Sequence, residues 1–179
     1  PNDTNVSLKL APLVKEFKPY WFEEPVDGEA TRALKEIKNQ TGLRIVTGEK
    51  QCGINHFIET LAADAVDIFN PDISSVGGII DMIKIIELSN KKNVRVTPHC
   101  WNSMSIAASA MIHLCMSFPK TEMAEFFPEY IAYTSKFYNK NFEINKGFIE
   151  LENREGLGVK IDTNLLMENT SSYKFSIFD

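Results

Sequence analysis

The chain has 179 residues, a mass of 20.3 kDa and a formal net charge of −5, with 44% hydrophobic and 24% charged residues. This length suits one domain, or one domain with a short appendage, and the composition excludes disordered and collagen-like classes. The acidic charge balance gives no basis for a nucleic-acid partner. No apolar run reaches the roughly 18 residues that a membrane helix needs, so we expect no membrane partner.

The predicted elements alternate between helices and short apolar strands. In chain order they are a helix at residues 8–17, a strand at 20–23, a helix at 29–39, a strand at 43–47, a helix at 54–63, a strand at 66–69, a helix at 79–88, a strand at 94–97, a helix at 103–116 and a strand at 122–126. Pro12 is compatible with the first helix only near its first turn. Strands that alternate with helices in this way predict an α/β fold with a parallel sheet covered by helices.

The region after residue 130 is more polar and loses this alternation. Residues 142–151 and 159–161 predict short strands or extended loops, and we expect the last residues to pack back onto the main body.

The cysteines favour a location inside the cell. Cys52, Cys100 and Cys115 are an odd number and have neither a disulfide framework nor a metal-binding spacing. The first residues also lack the pattern of a secretory signal. We therefore expect a cytoplasmic protein.

A polar, ionisable residue follows or ends each predicted strand, and successive members of the series lie 23 to 27 residues apart. This is about the length of one strand–helix unit of a (β/α)8 barrel, whose active sites lie at the carboxyl ends of the strands. Any one of these residues alone is equally typical of a turn or a helix cap. Five in the same phase favour a single pocket. They are Glu23, Glu49, Asp72, His99 and Glu125.

Four motifs in order resemble the C-terminal barrel of the enolase superfamily, and most of all its mandelate racemase subgroup. They are WFEEPV at 21–26, TGEK at 47–50, NPDISSVGGI at 70–79 and TPHCW at 97–101, and REGLGVKID at 154–162 is similar to the segment that follows these barrels. The resemblance implies a partial (β/α)8 barrel, roughly strands 4 to 8, over residues 1–130. Residues 131–179 would be a C-terminal segment that packs back onto the barrel and capping region.

The resemblance also implies a Mg²⁺-dependent enzyme that removes the proton alpha to a carboxylate. Two of the family's three carboxylate ligands would be Glu23 and Glu49. The third belongs to a D-x-N pattern one strand earlier. With Asn2 as the Asn of that pattern, the Asp would stand directly before Pro1, and Asp3 is off the pattern. Because Trp21 and Glu23 share one face of their strand, we expect Glu24 to form a salt bridge or a supporting contact.

The same resemblance assigns catalytic roles to His99, Asp72 and Glu125. His99 would take the alpha proton, Asp72 would fix its tautomer and raise its pKa, and Glu125 would hydrogen-bond the substrate carboxylate. Lys50 and Trp101 are candidate substrate-binding residues. A solvated lysine, a packing tryptophan and a surface Glu125 remain the alternatives.

A complete barrel takes about 250 residues, so we expect this chain to be the C-terminal part of a longer enzyme and inactive alone. The expected function is that of an acid-sugar dehydratase or a racemase acting on a small carboxylate, in a homo-oligomer. One alternative is a non-catalytic barrel portion with a structural or binding role. Another is an isomerase of the muconate cycloisomerase type, which Asp72 disfavours because that branch has a lysine there.

Overall fold

Helices and short parallel strands alternate through the first two thirds of the chain, in a computed structural model that describes residues 3–100, 105–121, 123–139 and 142–169. The elements in this part are α1 (Thr4–Glu16), β1 (Phe22–Glu23), α2 (Thr31–Thr41), β2 (Ile45–Thr47), α3 (Asn55–Ala62), β3 (Ile68–Phe69), α4 (Ile73–Val76), α5 (Gly78–Lys91), β4 (Arg95–Val96) and α6 (Ser105–Ser117). The predicted α/β class with a parallel sheet is confirmed.

The strands form one sheet in the order β1-β2-β3-β4, and every neighbouring pair is parallel. Val46 pairs with Glu23 on one side and with Ile68 on the other, so the strands advance in step. Since parallel strands in one register end at the same edge, the loops that follow β1 to β4 meet on one side of the sheet. This edge is where the predicted site residues come together.

The predicted fifth strand is wrong for residues 123–126, which are not a strand; Glu122 lies outside the described residues. The segment does run beside β4, where Val96 N–H donates to the Lys120 carbonyl and Glu125 N–H donates to the Pro98 carbonyl. Pro98 has no N–H group, so it takes part in this contact only through its carbonyl.

The expectation for Pro12 is also wrong, because α1 begins at Thr4 and Pro12 lies well inside it. The helix starts earlier than predicted because Asp3 caps it, with its side chain accepting a hydrogen bond of 2.9 Å from Val6 N–H. The first turn of α1 is mostly polar, so the spacing of apolar residues did not indicate that the helix begins there. The helix tolerates the proline at the cost of one backbone hydrogen bond.

The core lies between the sheet and its helices. Phe57 of α3 and Phe69 of β3 are fully buried, and their rings meet edge to face with centroids 4.9 Å apart. The other large buried side chains of this cluster come from α2, β2 and α5, and they are Leu34, Ile37, Ile45, Met82, Ile85 and Ile86. Each helix therefore contributes one apolar face to the sheet.

The rest of the chain forms α7 (Pro128–Thr134), β5 (Tyr138–Asn139), β6 (Phe142–Asn145), β7 (Phe148–Leu151), β8 (Lys160–Ile161) and α8 (Thr163–Glu168). β6 and β7 form an antiparallel hairpin, and β5 pairs antiparallel with β8. The hairpin packs on α6 through Phe142, Ile149 and Leu151, against Met111 and Ile112. The short strands expected here are present, whereas α7 and α8 were not predicted.

The expectation that the segment 131–179 packs back onto the barrel and capping region stays a prediction, and residues 140–141 and 170–179 of that segment lie outside the described residues. Among the helices of the described residues, none is long and apolar enough to cross a membrane.

Truncation of Phe57 should show how far the fold depends on this core. We expect Phe57→Ala to lower the free energy of unfolding by about 3–5 kcal/mol, because it removes a fully buried ring and leaves a cavity beside Phe69. Urea denaturation followed by circular dichroism measures the change. Ile80→Ala is the matched control, since Ile80 is 70% exposed and its loss should cost less than about 0.5 kcal/mol. Equal losses in the two variants would contradict this description of the core.

Candidate active site

A cavity of about 480 Å³ lies at the edge of the sheet where the strands end. Its walls include Glu23, Thr97, His99 and Glu125, together with Trp21 and Asn70. On its other side it is lined by apolar residues of α6 and by the tip of the β6–β7 hairpin, including Phe148 and Ile149. The structure thus gathers ionisable groups from several successive loops around one space.

His99 and Asp72 form a buried pair in this cavity. The Nδ1 atom of His99 lies 2.9 Å from Oδ2 of Asp72, and the two side chains are 8% and 3% exposed. Asp72 is itself fixed, because its Oδ1 accepts a hydrogen bond of 2.8 Å from Ser74 N–H and thereby caps α4. The helix cap and the histidine partner, weighed as alternatives in the sequence, are therefore the same residue. A carboxylate at Nδ1 favours the neutral tautomer in which Nδ1 carries the proton and Nε2 can accept one.

The Nε2 atom of His99 faces two further carboxylates, 3.5 Å from Oε2 of Glu49 and 3.4 Å from Oε2 of Glu125. Burial by itself would lower the pKa of His99, but the hydrogen bond that its Nδ1–H donates to Asp72 and the charges of Glu125, Glu49 and Asp72 outweigh it and raise this pKa above its ordinary value. Glu125 is held in place by Cys100 N–H, which donates to its Oε2 at 3.0 Å.

Glu23 is oriented by two nitrogen donors. Trp21 Nε1 donates to Oε2 and Asn70 Nδ2 donates to Oε1, each at 2.9 Å. Burial raises the pKa of Glu23 above its ordinary value, the bond from Trp21 opposes this, and the charges of Glu49 and Glu125 add to the increase. The carboxylate is thus fixed in position and repelled by its neighbours, which is a situation that a cation relieves.

Gly48 lies at the end of β2, directly before Glu49, whose Oε2 is 3.5 Å from Nε2 of His99. The φ angle of Gly48 is 143°, and a Cβ atom there would lie 3.1 Å from the backbone nitrogens of Asn70 and Pro71. Only glycine combines this φ with so close an approach to the neighbouring loop. Backbone geometry therefore explains why the TGEK motif has a glycine at position 48.

Lys50 is paired with carboxylates on both sides, since its Nζ lies 3.4 Å from Oε2 of Glu24 and 3.4 Å from Oε1 of Glu49. Glu24 also accepts a hydrogen bond of 2.5 Å from Thr47 Oγ1, so it has the supporting contacts expected for it. Partial burial would lower the pKa of Lys50, but Glu24 and Glu49 raise it above its ordinary value. A substrate-binding role for Lys50 stays a prediction, as does that of Trp101, which lies outside the described residues.

The donor chemistry suits part of a magnesium site. Glu23 and Glu49 offer carboxylate oxygens, the ligands that Mg²⁺ prefers. Asp3 is committed to capping α1, and Asn2 lies outside the described residues. In the part of the chain that the structure describes, no group of three or more His, Cys, Asp or Glu side chains has the arrangement of a metal site. The two glutamates thus fit a partial ligand set.

Sequence reasoning missed Asn70 and the hairpin tip at 147–149. Asn70 was findable, because it stands at the end of a predicted strand in the same phase as the acids, next to Pro71. The hairpin carries no signal of this kind, because its approach to the cavity depends on packing against α6.

The same span of chain matches a known family. Residues 3–165 match the family model described as enolase C-terminal domain-like, and the chain belongs to this family, within the enolase superfamily. A crystal structure described as an enolase from the environmental genome shotgun sequencing of the Sargasso Sea superposes with a TM-score of 0.92, at 45% identity over 96% of this chain and 46% of that one. The structural neighbours also include proteins described as mandelate racemase/muconate lactonizing enzyme, at 24% identity, and these share the fold that the motifs predicted.

Two further relatives carry the names of enzymes. The D-galactonate dehydratase of Ralstonia pickettii is 30% identical over 167 residues, which are 88% of this chain and 44% of that protein. The structure of the 3,6-anhydro-D-galactonate cycloisomerase from Zobellia galactanivorans has a TM-score of 0.87 at 29% identity, over 95% of this chain and 48% of that one. The chain thus spans less than half the length of these relatives.

Removal of the Asp72 charge should lower the pKa of His99. We expect His99 in the metal-free chain to titrate above the ordinary histidine value, and Asp72→Asn to shift the titration to lower pH, because one of the charges that favour the imidazolium is lost. Titration of the histidine ring signals by NMR in the presence of a chelator measures both. His113, whose Nδ1 lies 2.8 Å from the Ser109 carbonyl in α6, is the internal reference. An unchanged His99 titration in Asp72→Asn would contradict the pairing.

Proposed function

We propose that this chain is the catalytic-barrel part of a Mg²⁺-dependent enzyme that removes the alpha proton of a sugar-acid carboxylate and expels the β-hydroxyl, an acid-sugar dehydratase. The observation that carries the proposal is the orientation of His99. Its Nδ1 is bound to buried Asp72, and its Nε2 is in the cavity beside Glu49 and Glu125. The name of the Ralstonia relative, D-galactonate dehydratase, supports this choice of reaction.

In this proposal His99 handles the proton twice. Its neutral Nε2 accepts the alpha proton, while the C–H electron pair moves into the substrate, and Asp72 stabilises the imidazolium that results. The Nε2–H group then returns this proton to the β-hydroxyl, the C–O bond breaks, and water leaves. When bound through Glu23 and Glu49, Mg²⁺ supplies positive charge for the carboxylate oxygens of the substrate.

Glu125 and Lys50 have supporting roles in the same proposal. Glu125 hydrogen-bonds the substrate carboxylate, which requires a proton on Glu125 or one shared with the substrate. Lys50 provides a cation at the rim, where its side chain is 61% exposed and already contacts Glu49. Trp101 is proposed as a further substrate contact.

A cycloisomerase is the second candidate, because two relatives bear that name. They are the Zobellia enzyme and the D-galactarolactone cycloisomerase of Agrobacterium fabrum, which is 28% identical over 155 residues. Nε2 of His99 can act as the base in both reactions, since the two differ only in which C–O bond breaks. Return of the proton to carbon instead gives a racemase, so product analysis separates the three outcomes.

Metal binding by this chain tests the ligand assignment. We expect a calorimetric titration with Mg²⁺, or a titration with Mn²⁺ followed by electron paramagnetic resonance, to show saturable binding that Glu49→Gln removes or weakens at least tenfold, because the variant loses a charged oxygen ligand. Glu59→Gln is the matched control, since Glu59 is an exposed residue of α3. Binding of equal strength in Glu49→Gln would show that Glu49 is not a ligand.

Turnover tests the reaction in the product of the complete gene. We expect Mg²⁺-dependent dehydration of a sugar acid such as D-galactonate, detected as a 2-keto-3-deoxy acid by NMR, and a loss of roughly 10²- to 10⁴-fold in kcat for His99→Asn, because the base and acid are the same ring. His113→Asn is the control, because His113 lies in α6 away from the cavity lining. Turnover that survives in His99→Asn would overturn the assignment, and cyclic or racemised product would select an alternative.

A further inference from the structure

Asn70 uses only one half of its side-chain amide. Its Nδ2 donates to Oε1 of Glu23 at 2.9 Å, and its backbone N–H donates to the Thr47 carbonyl at 3.0 Å. The residue is 4% exposed and lines the cavity. Its Oδ1 atom is buried and has no hydrogen-bond partner among the described residues.

The orientation of this amide is fixed by chemistry. An ionised carboxylate only accepts hydrogen bonds, so the NH₂ group of Asn70 must face Glu23 and the oxygen must face away. Trp21 Nε1 holds the other oxygen of Glu23, which keeps that carboxylate from rotating toward a different arrangement. The side-chain atom of Asn70 that is still available for a hydrogen bond is therefore an acceptor, not a donor.

The position of Asn70 separates it from the other buried side chains with unpaired atoms. Within the described residues these are Gln51, whose amide nitrogen and oxygen both lack a partner, and Ser89, whose hydroxyl does. Neither lines the cavity, whereas Asn70 does. A buried acceptor without a partner destabilises a folded protein, and such groups are usually paired when the protein is complete with its ligand.

The partner must be a hydrogen-bond donor, which limits its chemistry. The carboxylates of Glu23 and Glu125, which line the cavity, and that of Glu49, which lies beside His99, accept hydrogen bonds when ionised, and the substrate's own carboxylate does the same. The hydroxyl groups of a sugar acid are the donors that the proposed substrate brings with it. A site that hydrogen-bonds a substrate hydroxyl also discriminates strongly against an analogue that lacks it.

We propose that Asn70 is a substrate-binding residue, whose Oδ1 accepts a hydrogen bond from one hydroxyl group of the sugar acid. This assignment rests on the proposed function and adds to it a determinant of specificity. One amide thus positions Glu23 through nitrogen and selects a hydroxylated substrate through oxygen. The enzyme should therefore disfavour acids that lack this hydroxyl group.

A set of monodeoxy analogues tests the assignment in the product of the complete gene. Each analogue lacks one hydroxyl of the best substrate, and each is measured as a competitive inhibitor of wild type and Asn70→Ala. We expect wild type to bind one analogue roughly 10- to 100-fold more weakly than the parent acid, and Asn70→Ala to bind the two about equally. Equal losses for the parent and every analogue would overturn the proposal, because Asn70 would then act only through Glu23.

Three variants keep the outcome interpretable. Asn70→Asp retains an acceptor of the same size but loses the donor to Glu23, so it should be slower on all substrates while it keeps the preference for the hydroxyl. Trp21→Phe removes the other donor to Glu23, and its losses should be the same for every analogue. Ser89→Ala removes an unpaired buried hydroxyl outside the cavity and should change no inhibition constant.

The two proposals fail in different ways. Absence of Mg²⁺-dependent turnover in wild type would contradict the proposed function, and it would also contradict the substrate-binding role of Asn70, which rests on that function. Two other results, each with normal turnover, would contradict only the role of Asn70. In one, wild type binds all the analogues equally; in the other, Asn70→Ala keeps the preference that wild type shows.

Discussion

The parallel register of β1 to β4 is the constraint on which the site depends. Each strand is only two or three residues long, yet the pairs stay in step across the sheet, so the loops that follow reach one side of the molecule together. Side chains that are 23 to 27 residues apart in sequence thereby become neighbours. The core of aromatic and aliphatic side chains behind the sheet keeps this register, because a slip would expose it.

A consequence of this convergence is an excess of negative charge in a partly buried space. Glu23, Glu49 and Glu125 act on one another and on His99, and the pKa values of Glu23 and His99 are both raised. Like charges gathered in this way destabilise a protein unless protons or cations compensate them. The proposed function gives this cost a reason, because it requires a base for a weak carbon acid and a bound cation at this same place.

Much of this arrangement could be predicted from the sequence, because both the apolar periodicity and the acids at strand ends are local signals. The failures share a different cause. The strand expected at residues 122–126 depends on whether its neighbour can return hydrogen bonds, and Pro98 cannot. Likewise α4 exists because Asp72 caps it, whereas the sequence analysis treated a helix cap and a partner for His99 as alternative roles of Asp72.

The site was predicted less completely than the fold. Asn70 at least has its position at the end of a predicted strand as a signal. The hairpin tip lines the cavity through contacts that join distant parts of the chain, and neither a motif nor a period indicates such contacts. Asn70 became informative only when the atoms of its amide were accounted for one by one, with the nitrogen bound to Glu23 and the oxygen without a partner.

The carboxylate of Asp72 has two roles: one oxygen accepts a hydrogen bond from Ser74 N–H and caps α4, and the other oxygen orients His99. Most proteins separate the residues that secure folding from those that perform chemistry, so that each set drifts independently during evolution. Here a single substitution disturbs both, and selection for either property preserves the same atom positions. Directed evolution of a new activity at this site would therefore progress further by altering the hairpin tip than by altering the loop after β3.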